Sequence, residues 1–261
     1  MLNHPTHDKL LALKLPGMAA ALEQQRHLPG HLPNGEVTSF EVMSFEERLG
    51  LLVDSEMTHR SNTQLAQRLK SAHLRQSAVP EDIDFRQARG LDRSLTRTLL
   101  SGEWIRRHDN CLITGPTGVG KSYLACALAH QACRDGYRVS YVRASRLFAE
   151  LAIARADGSF GKRLLAMSRI DLLVLDDWGL VPLSLESARD LLEILEDRYD
   201  RRSTLVTAQA PLENWHGLIG DPTLADAALD RLVHNAHRLT LSGESMRKSR
   251  GTLTKHPEKA E

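Results

Sequence analysis

Residues 111–130, CLITGPTGVGKSYLACALAH, decide the fold of this chain. A short apolar run, CLIT, precedes a glycine-rich turn, and good helix formers follow from Lys121 onwards. The turn matches the pattern GxxxxGK[S/T], in which backbone N–H groups, a lysine and a helix N-terminus surround a phosphate chain. Because this pattern requires a strand before the turn and a helix after it, and both are present, the sequence predicts a nucleotide-binding loop.

Each residue type in the loop has a physical task. The glycines let the backbone direct its N–H groups inward, the lysine places a charge between the β- and γ-phosphates, and the serine offers a hydroxyl to Mg²⁺. A GTPase would also need an NKxD guanine reader, which the chain lacks, so we expect ATP and Mg²⁺ as cofactors. The predicted nucleotide-binding residues are Gly115, Pro116, Thr117, Gly118, Val119, Gly120, Lys121 and Ser122, and Ser122 is also a predicted metal ligand.

The stretch LLVLDDWG (172–179) supplies the second half of the site. Its four apolar residues predict a buried strand, and Asp176 follows at the carboxyl end, where it can reach Mg²⁺ held at Ser122. Asp177 comes next and is the residue predicted to polarise the attacking water. The alternative is that the two acids cap the following helix.

Three further residues are predicted to act at the nucleotide or on the attacking water. Gln209 ends the predicted strand TLVTAQ, and we expect it between the two metal-site strands, where ATPase ring proteins place a water-orienting group. Arg231 lies on a predicted helix and is expected to reach the γ-phosphate of a neighbouring subunit, unless it forms a surface salt bridge with Asp226 or Asp230. Arg247 in GESMRK is the predicted second arginine on the nucleotide, unless it is an ordinary residue of the tail.

The bulk composition limits the class of protein. The 261 residues leave room for one mid-sized domain and a smaller one, and the net charge of +1 gives no overall polybasic character. The first residues, MLNHPTHDKLLALKLPG, lack the apolar core of a signal peptide, and no apolar stretch approaches the roughly 18 residues of a membrane span. Three cysteines without a CxxC pair are typical of a reduced protein. We therefore expect a cytoplasmic protein without membrane association.

The order of the predicted elements divides the chain. The first third is predicted to be helical, with the loop HLPGHLPNG inside it and a capping box, SFEE, that starts a long helix at Ser44. VPEDIDF is predicted to be an extended linker. From Arg89 strands and helices alternate, which indicates an α/β fold with a mostly parallel sheet and helices on both faces. The predicted divisions are a helical N-terminal domain (1–78), a linker (79–92), a P-loop ATPase core (93–243) and a polar C-terminal tail (244–261).

The chain resembles the IstB-type ATP-binding proteins of bacterial insertion sequences. The resemblance is carried by GPTGVGKSYLACALAH, LLVLDDWG, IGDPTLADAALDRLVHNAHRL and GESMRK, and it covers nearly the whole chain. These proteins are relatives of the DnaC/DnaI-type helicase loaders in the AAA+ class. The resemblance implies an AAA+ P-loop NTPase core preceded by a small all-α N-terminal domain. From the length of chain that follows Ser242, we expect no full C-terminal helical lid of the class.

The resemblance also implies a function. Such a protein binds ATP, assembles as a homo-oligomeric ring or spiral on duplex DNA largely without regard to sequence, and directs a partner transposase to its target. The N-terminal domain is the expected place of partner or DNA contacts. The ATPase is expected to be slow, because Asp177 replaces the glutamate of many AAA+ hydrolases and its carboxylate is one methylene shorter. It is also expected to be stimulated by oligomerisation, DNA or the partner. Gln209 replaces the asparagine that is common in the helicase loaders.

A basic segment is the predicted DNA contact. Between residues 134 and 169, eight basic residues stand against three acidic ones. In the resembling class the two inserted helices around the turn at residues 158–161 face the inside of the assembly, where repeated cations would follow a phosphate backbone without reading sequence. A solvated helix face is the alternative. The predicted DNA-binding residues are Arg155, Lys162 and Arg163, and a second basic stretch contains Arg60, Arg68, Lys70 and Arg75.

Three hypotheses about function remain open at this stage. The leading one is an ATP-dependent helper of transposition with duplex DNA and a transposase as partners. The second is a DnaC-type loader that places a replicative helicase on single-stranded DNA, so a preference for duplex or single strands separates the two. The third is a metabolic P-loop kinase, whose ATP consumption would rise with a small acceptor and would be insensitive to DNA.

Overall fold

The structure is a computed structural model, and it describes residues 5–27, 30–31, 37–38, 43–87 and 89–246. The chain forms two compact units, Met1–Gln67 and Arg68–Glu261, and the division falls inside helix α3 (Phe45–Ala72). Among the described residues, no helix is both long enough and apolar enough to span a lipid bilayer.

The first unit is mainly helical, as predicted. Its elements are α1 (Pro5–Ala12), α2 (Pro16–His27), β1 (Gly30–His31), β2 (Val37–Thr38) and the larger part of α3 (Phe45–Ala72). β1 and β2 pair antiparallel. The N-terminal domain was expected to be all-α, with a loop at HLPGHLPNG. The short antiparallel pair of β1 and β2 corrects that expectation. Pro16 begins α2, because the fixed φ of proline suits the first position of a helix.

Two hydrogen-bonding arrangements fix the helix starts in this unit. Ser44 and Glu47 form the predicted capping box: Ser44 N–H donates to Glu47 Oε2 (2.7 Å), and Glu47 N–H donates to Ser44 Oγ (3.2 Å). Glu56, on α3, accepts hydrogen bonds from the N–H groups of Gly17 (2.8 Å) and Met18 (3.2 Å) at the start of α2. A side chain at Gly17 would collide with the backbone of α3, so glycine allows this close approach.

The second unit alternates strands and helices. Its helices are α4 (Arg93–Leu100), α5 (Glu103–Arg106), α6 (Lys121–Arg134), α7 (Ala144–Ala156), α8 (Phe160–Ser168), α9 (Leu185–Arg198), α10 (Trp215–Ile219) and α11 (Pro222–Val233), with 3₁₀ turns at Pro80–Asp82 and Leu212–Asn214. Its strands are β3 (Asn110–Thr114), β4 (Val139–Arg143), β5 (Leu172–Trp178), β6 (Ser203–Ala208) and β7 (Ala236–Thr240).

These five strands form one parallel sheet in the order β4–β5–β6–β3–β7. The predicted α/β fold with a parallel sheet is confirmed. β6 lies between β3, which leads into the glycine-rich loop, and β5, which carries the two acids. Because the strands all run the same way, their carboxyl ends lie at one edge of the sheet. That edge brings together the loop, the acids and the residue that follows β6.

Helices cover both faces of the sheet. On one face α7, α9, α10 and α11 share a core with alternate residues of β5 and β6, among them Leu173, Leu175 and Val206. The intervening residues, such as Val174 and Leu205, point to the other face, against which α6 packs. Strands that are buried on both faces form continuous apolar runs, which explains why LLVL shows no alternation.

The structure differs locally from the expected elements. β5 continues to Trp178, so both acids lie within the strand instead of after it. The linker predicted to be extended contains the turn Pro80–Asp82. The helices α4, α5 and α10 were not predicted. α5 and α10, of four and five residues, are too short to show a helical period, whereas α4 has an amphipathic pattern and an N-cap at Asp92 from which it could have been predicted.

Candidate functional site

The glycine-rich loop joins β3 to α6. Gly115, Gly118 and Gly120 have φ angles of 145°, 89° and 98°, which L side chains rarely adopt. A β-carbon at Gly115 would collide with the carbonyl oxygen of Leu241, and one at Gly118 would collide with the side chain of Ser245. The loop therefore keeps this shape only with glycine at these positions.

Lys121 and Ser122 open α6 at the end of the loop. Lys121 is 7% exposed, and its Nζ donates to the carbonyl oxygens of Gly115 (2.7 Å) and Pro116 (2.9 Å). Ser122 Oγ donates to Asp176 Oδ1 at 2.8 Å, so the hydroxyl and the carboxylate that were predicted as metal ligands lie side by side. Both are hard oxygen donors, the type that Mg²⁺ prefers.

The two protein oxygens at this site suit a metal ion that takes its other ligands from a substrate and water. Among the residues that the structure describes, no group of three His, Cys, Asp or Glu side chains is close enough to hold a metal ion. Mg²⁺ is commonly bound through one or two protein oxygens together with substrate phosphates and water. The residues present at Ser122 and Asp176 fit that mode of binding.

Asp176 and Asp177 lie in a β-bulge, where β5 and β6 shift register and the two acids face the single residue Thr207. Asp177 has a left-handed φ of 56°, which aspartate tolerates better than most residues. Successive residues of a strand normally point to opposite faces. Here both carboxylates contact one nitrogen, Arg75 Nη1, at 3.2 and 3.1 Å. The bulge therefore turns both acids to the same side.

Asp176 is fully buried and accepts hydrogen bonds from four side chains. The donors are Ser122, Thr207, Tyr141 and Arg75. Burial by itself raises the pKa of this carboxyl, but the hydrogen bonds outweigh it and hold the pKa below its usual value. Asp176 therefore stays ionised at neutral pH, as a metal ligand must.

The acids do not cap the helix that follows them. α9 begins at Leu185, and its N-terminus is capped by Ser184, whose side chain accepts a hydrogen bond from the N–H of Ser187. The alternative interpretation of the two acids as a helix cap is therefore wrong.

Gln209 follows β6 directly and lies between the loop and the acids. Its Oε1 accepts a hydrogen bond from Thr117 Oγ1 at 2.7 Å. An open pocket of about 320 Å³ adjoins these groups, and residues that line it include Arg75, Thr117, Lys121, Asp177, Gln209 and Met246. A volume of this size is within the range of small-ligand sites.

Residues 8–253 match the family described as IstB-like ATP binding protein. The chain belongs to this family. A relative from Sinorhizobium fredii, named insertion sequence ATP-binding protein y4pL, is 54% identical over 249 residues, which are 95% of this chain and 98% of the relative. A relative from Pseudomonas aeruginosa, named for insertion sequence IS21, is 32% identical over 238 residues, which are 89% and 90% of the two chains.

Solved structures of low sequence identity share the fold of this IstB-like protein. The crystal structure of DnaI matches with a TM-score of 0.54 at 22% identity and covers 64% of this chain and 92% of that one. DnaA bound to AMPPCP and single-stranded DNA matches with a TM-score of 0.53 at 17% identity, over 66% and 52% of the chains. The core therefore has the AAA+ P-loop fold. Membership of the family makes this chain an IstB-like ATP-binding protein.

Two side chains of the IstB-like site were not found from the sequence. Tyr141, on β4, donates a hydrogen bond to Asp176. Burial, and to a smaller extent this hydrogen bond, raises the pKa of the Tyr141 phenol, so the hydroxyl keeps its proton and remains a donor. Thr207 Oγ1 accepts from Asp177 N–H at 3.1 Å and donates to Asp176. The register of neighbouring strands brings these residues to the acids, and one sequence carries no signal for that register.

The second basic stretch is engaged within the chain. Arg60 Nε lies 2.7 Å from Glu56 Oε1, and Arg68 Nε donates to the carbonyl oxygen of Cys133 at 2.8 Å. Arg75 contacts the two acids of the nucleotide site. Three of the four cations in this stretch are thus engaged within the chain, whereas Lys70 is exposed, and a role of the stretch in DNA binding remains a prediction.

Arg231, on α11, is paired within its own chain. Its Nη2 lies 2.5 Å from Glu196 Oε1, and its Nη1 donates to the carbonyl oxygen of Ala227 at 2.8 Å. The salt bridge is therefore made with α9 and not with Asp226 or Asp230. Arg231 does not line the nucleotide pocket of its own chain.

Arg247 lies outside the described residues. The residues just before it reach the nucleotide loop: Met246 N–H donates to the carbonyl oxygen of Gly118 at 2.9 Å, and Arg89 Nη1 donates to Met246 Sδ at 3.1 Å. The first part of GESMRK thus lies beside the loop, and the role of Arg247 itself stays a prediction.

The three predicted DNA-binding residues lie on α7 and α8. Arg155 forms salt bridges with two acids of α9, and its guanidinium lies 3.7 Å from the ring centre of Phe160. Arg163 Nη1 lies 2.9 Å from Glu150 Oε2. Lys162 is exposed, and no ion pair found in the described part of the chain includes it. Of the three charges, Lys162 is therefore the one that no acid in the described residues pairs with.

Proposed function

We propose that this IstB-like protein is an ATP-dependent, DNA-binding helper of transposition. It assembles as a homo-oligomer on duplex DNA, directs and stimulates a partner transposase, and uses ATP hydrolysis to control assembly and release. The observation that carries the proposal is the match of residues 8–253 to the family, because relatives that span the same length are named ATP-binding proteins of insertion sequences.

The proposed chemistry is hydrolysis of ATP to ADP and phosphate. Lys121 and the loop N–H groups hold the phosphates, and Ser122 and Asp176 hold Mg²⁺, which would neutralise charge on the β- and γ-phosphates. Asp177, whose side chain is 23% exposed beside the buried Asp176, accepts the proton of the attacking water. Gln209 orients that water.

The proposed assembly places ATP between two copies of the chain. Arg231 of one copy exchanges its contact with Glu196 for the γ-phosphate of the neighbouring copy, and Arg247 is the proposed second arginine on the nucleotide. A cation at the γ-phosphate lowers the barrier of phosphoryl transfer. Because the neighbour supplies it, hydrolysis depends on assembly.

We propose a separate role for each of the four segments of the chain. Residues 1–78 contact the transposase or DNA, 79–92 link them to the ATPase core at 93–243, and 244–261 form a polar tail. Arg155, Lys162 and Arg163 are the proposed contacts to DNA phosphates. The three free, buried cysteines suit a protein of the reducing cytoplasm.

Preference for duplex DNA tests the proposed function. With Mg²⁺ and a non-hydrolysable ATP analogue, we expect the protein to bind duplex at least about tenfold more tightly than single strands of equal length, with little sequence dependence, since its contacts go to phosphates. Fluorescence anisotropy on two unrelated duplexes and their separate strands measures the difference. A preference for single strands would contradict the proposal and would favour a helicase loader.

Duplex binding by the Lys162→Ala variant, measured by the same anisotropy assay, tests whether α8 contacts DNA. We expect about fivefold weaker duplex binding and a slope of log affinity against log salt that is smaller by about 1, the effect of losing one phosphate contact. Arg201→Ala is the control, because Arg201 is an exposed cation that precedes β6 at the amino-terminal edge of the sheet. Equal losses from both variants would argue against a contact at α8.

A further inference from the structure

Arg75 lies at the two acids of the site, although it belongs to the segment that follows α3. Its Nη1 lies 3.2 Å from Asp176 Oδ2 and 3.1 Å from Asp177 Oδ2. The arginine side chain is 37% exposed, whereas the Asp176 side chain is fully buried. A single cation therefore contacts both Asp176, which we assign to Mg²⁺ binding, and Asp177, which we assign to activation of the attacking water.

A guanidinium and Mg²⁺ compete for the same carboxylate. Mg²⁺ requires oxygen ligands at about 2.0–2.1 Å in a near-octahedral arrangement, and a second cation a few ångströms away repels it. Arginine does not lose its proton in proteins, so Arg75 cannot remove this repulsion without moving. Metal binding at Asp176 thus weakens the arginine contact, and by linkage the arginine contact weakens metal binding to the same extent.

The chain around Arg75 contacts α6. Burial raises the pKa of the Cys126 thiol, and hydrogen bonds from the backbone of Gln76 and Arg75 partly offset that rise. Arg68 Nε donates to the carbonyl oxygen of Cys133, near the C-terminal end of the same helix. Because α6 begins at the nucleotide loop, the loop and the end of α3 both contact this helix.

The segment that carries Arg75 has no regular structure. α3 ends at Ala72, and His73 has a left-handed φ of 51°, which is unfavourable for a residue other than glycine. Residues 73–79 contain neither helix nor strand. Such a segment can change conformation without breaking helical or sheet hydrogen bonds.

We propose that Arg75 competes with Mg²⁺ for Asp176 and Asp177, so that binding of Mg²⁺ with ATP releases the guanidinium and frees residues 73–79. Occupancy of the ATP site is thereby coupled to the end of α3, the helix through which the chain continues from its first unit. The inference rests on the proposed function in one respect, namely that Ser122 and Asp176 hold the metal.

The Mg²⁺ dependence of nucleotide affinity tests the competition. Calorimetry gives the dissociation constant of a non-hydrolysable ATP analogue in EDTA and in excess Mg²⁺. The constant in EDTA divided by the constant in Mg²⁺ measures how strongly the metal supports binding. Arg75→Gln is expected to raise this ratio about tenfold, the effect of removing one charge-assisted contact. Arg75→Lys keeps a cation, and Lys70→Ala removes an exposed cation on the same stretch, so both are expected to keep the parent ratio.

The outcomes separate this inference from the proposed function. An unchanged or smaller ratio in Arg75→Gln with a parent-like thermal melt overturns the competition, and a smaller ratio would make Arg75 a nucleotide contact instead. A parent protein whose nucleotide affinity does not respond to Mg²⁺ overturns the proposed metal site itself. A parent that responds, beside an Arg75→Gln variant with the same ratio, overturns only the inference.

Hydrogen exchange gives a second readout that does not depend on affinity. In the parent, the backbone amides of residues 73–79 are expected to exchange about tenfold faster once Mg²⁺ and the analogue are added, as local opening becomes easier. In the Arg75→Gln variant, the same amides are expected to exchange at this faster rate even without Mg²⁺ and the analogue. Equal exchange in the two proteins under both conditions overturns the coupling to α3.

Discussion

Lys121→Ala is expected to abolish ATP-dependent assembly and to weaken ATP binding at least about a hundredfold. The lysine ammonium lies inside the loop, 2.7 Å from Gly115 O and 2.9 Å from Pro116 O, and the residue is only 7% exposed. Alanine therefore removes a charge that solvent does not replace, and losing such a contact to an anion costs about 3 kcal/mol. Calorimetry with Mg²⁺ and ATP measures the affinity, and light scattering measures assembly.

Lys70→Ala is the matched control for this variant. Lys70 is an exposed lysine near the end of α3, and its removal is expected to leave ATP affinity and assembly at the parent level. A Lys121→Ala protein that still assembles on addition of ATP would show that the glycine-rich loop is not where ATP controls assembly.

The second large effect is expected from Asp177→Asn, which should slow phosphate release about a hundredfold or more, the usual contribution of a general base. The amide cannot accept the proton of the attacking water. Asparagine nevertheless tolerates the φ of 56° at this position, so the bulge and the contacts of Asp176 are retained. ATP binding and assembly are therefore expected to persist, and a phosphate-release assay at saturating ATP and duplex DNA measures the rate.

Asp200→Asn controls for both the chemical change and the backbone conformation. Asp200 has a φ of 54° and is exposed in the turn after α9, so the same substitution is made on the same type of backbone away from the site. It is expected to hydrolyse ATP at the parent rate. If Asp177→Asn also did so, Asp177 would not be the base.

Short-range patterns were sufficient to predict the loop and the sheet. The residues from Gly115 to Ser122 are consecutive, and the strand before them and the helix after them are continuous in sequence. The alternation of apolar runs with amphipathic stretches likewise predicted the parallel sheet, because strands buried on both faces and helices on one face have distinct patterns. The place of Gln209 followed from the same order of elements.

The contacts that the sequence did not predict join residues that are far apart in the chain. Arg75 is separated from Asp176 by 101 residues, and nothing in a basic stretch indicates which acids it will contact. Thr207 and Tyr141 reach Asp176 through strand register and through a bulge that has no sequence signature of its own. The same is true of Arg231, whose partner Glu196 lies on another helix.

The most direct test of the account is the molar mass in solution by light scattering, measured with and without Mg²⁺, ATP and a duplex of defined length. Because ATP is proposed to lie between two copies of the chain, a species of several chains of 29.1 kDa is expected to form only when ATP is present and to include the duplex. A protein that remains a single chain under saturating Mg²⁺, ATP and duplex DNA would contradict the account.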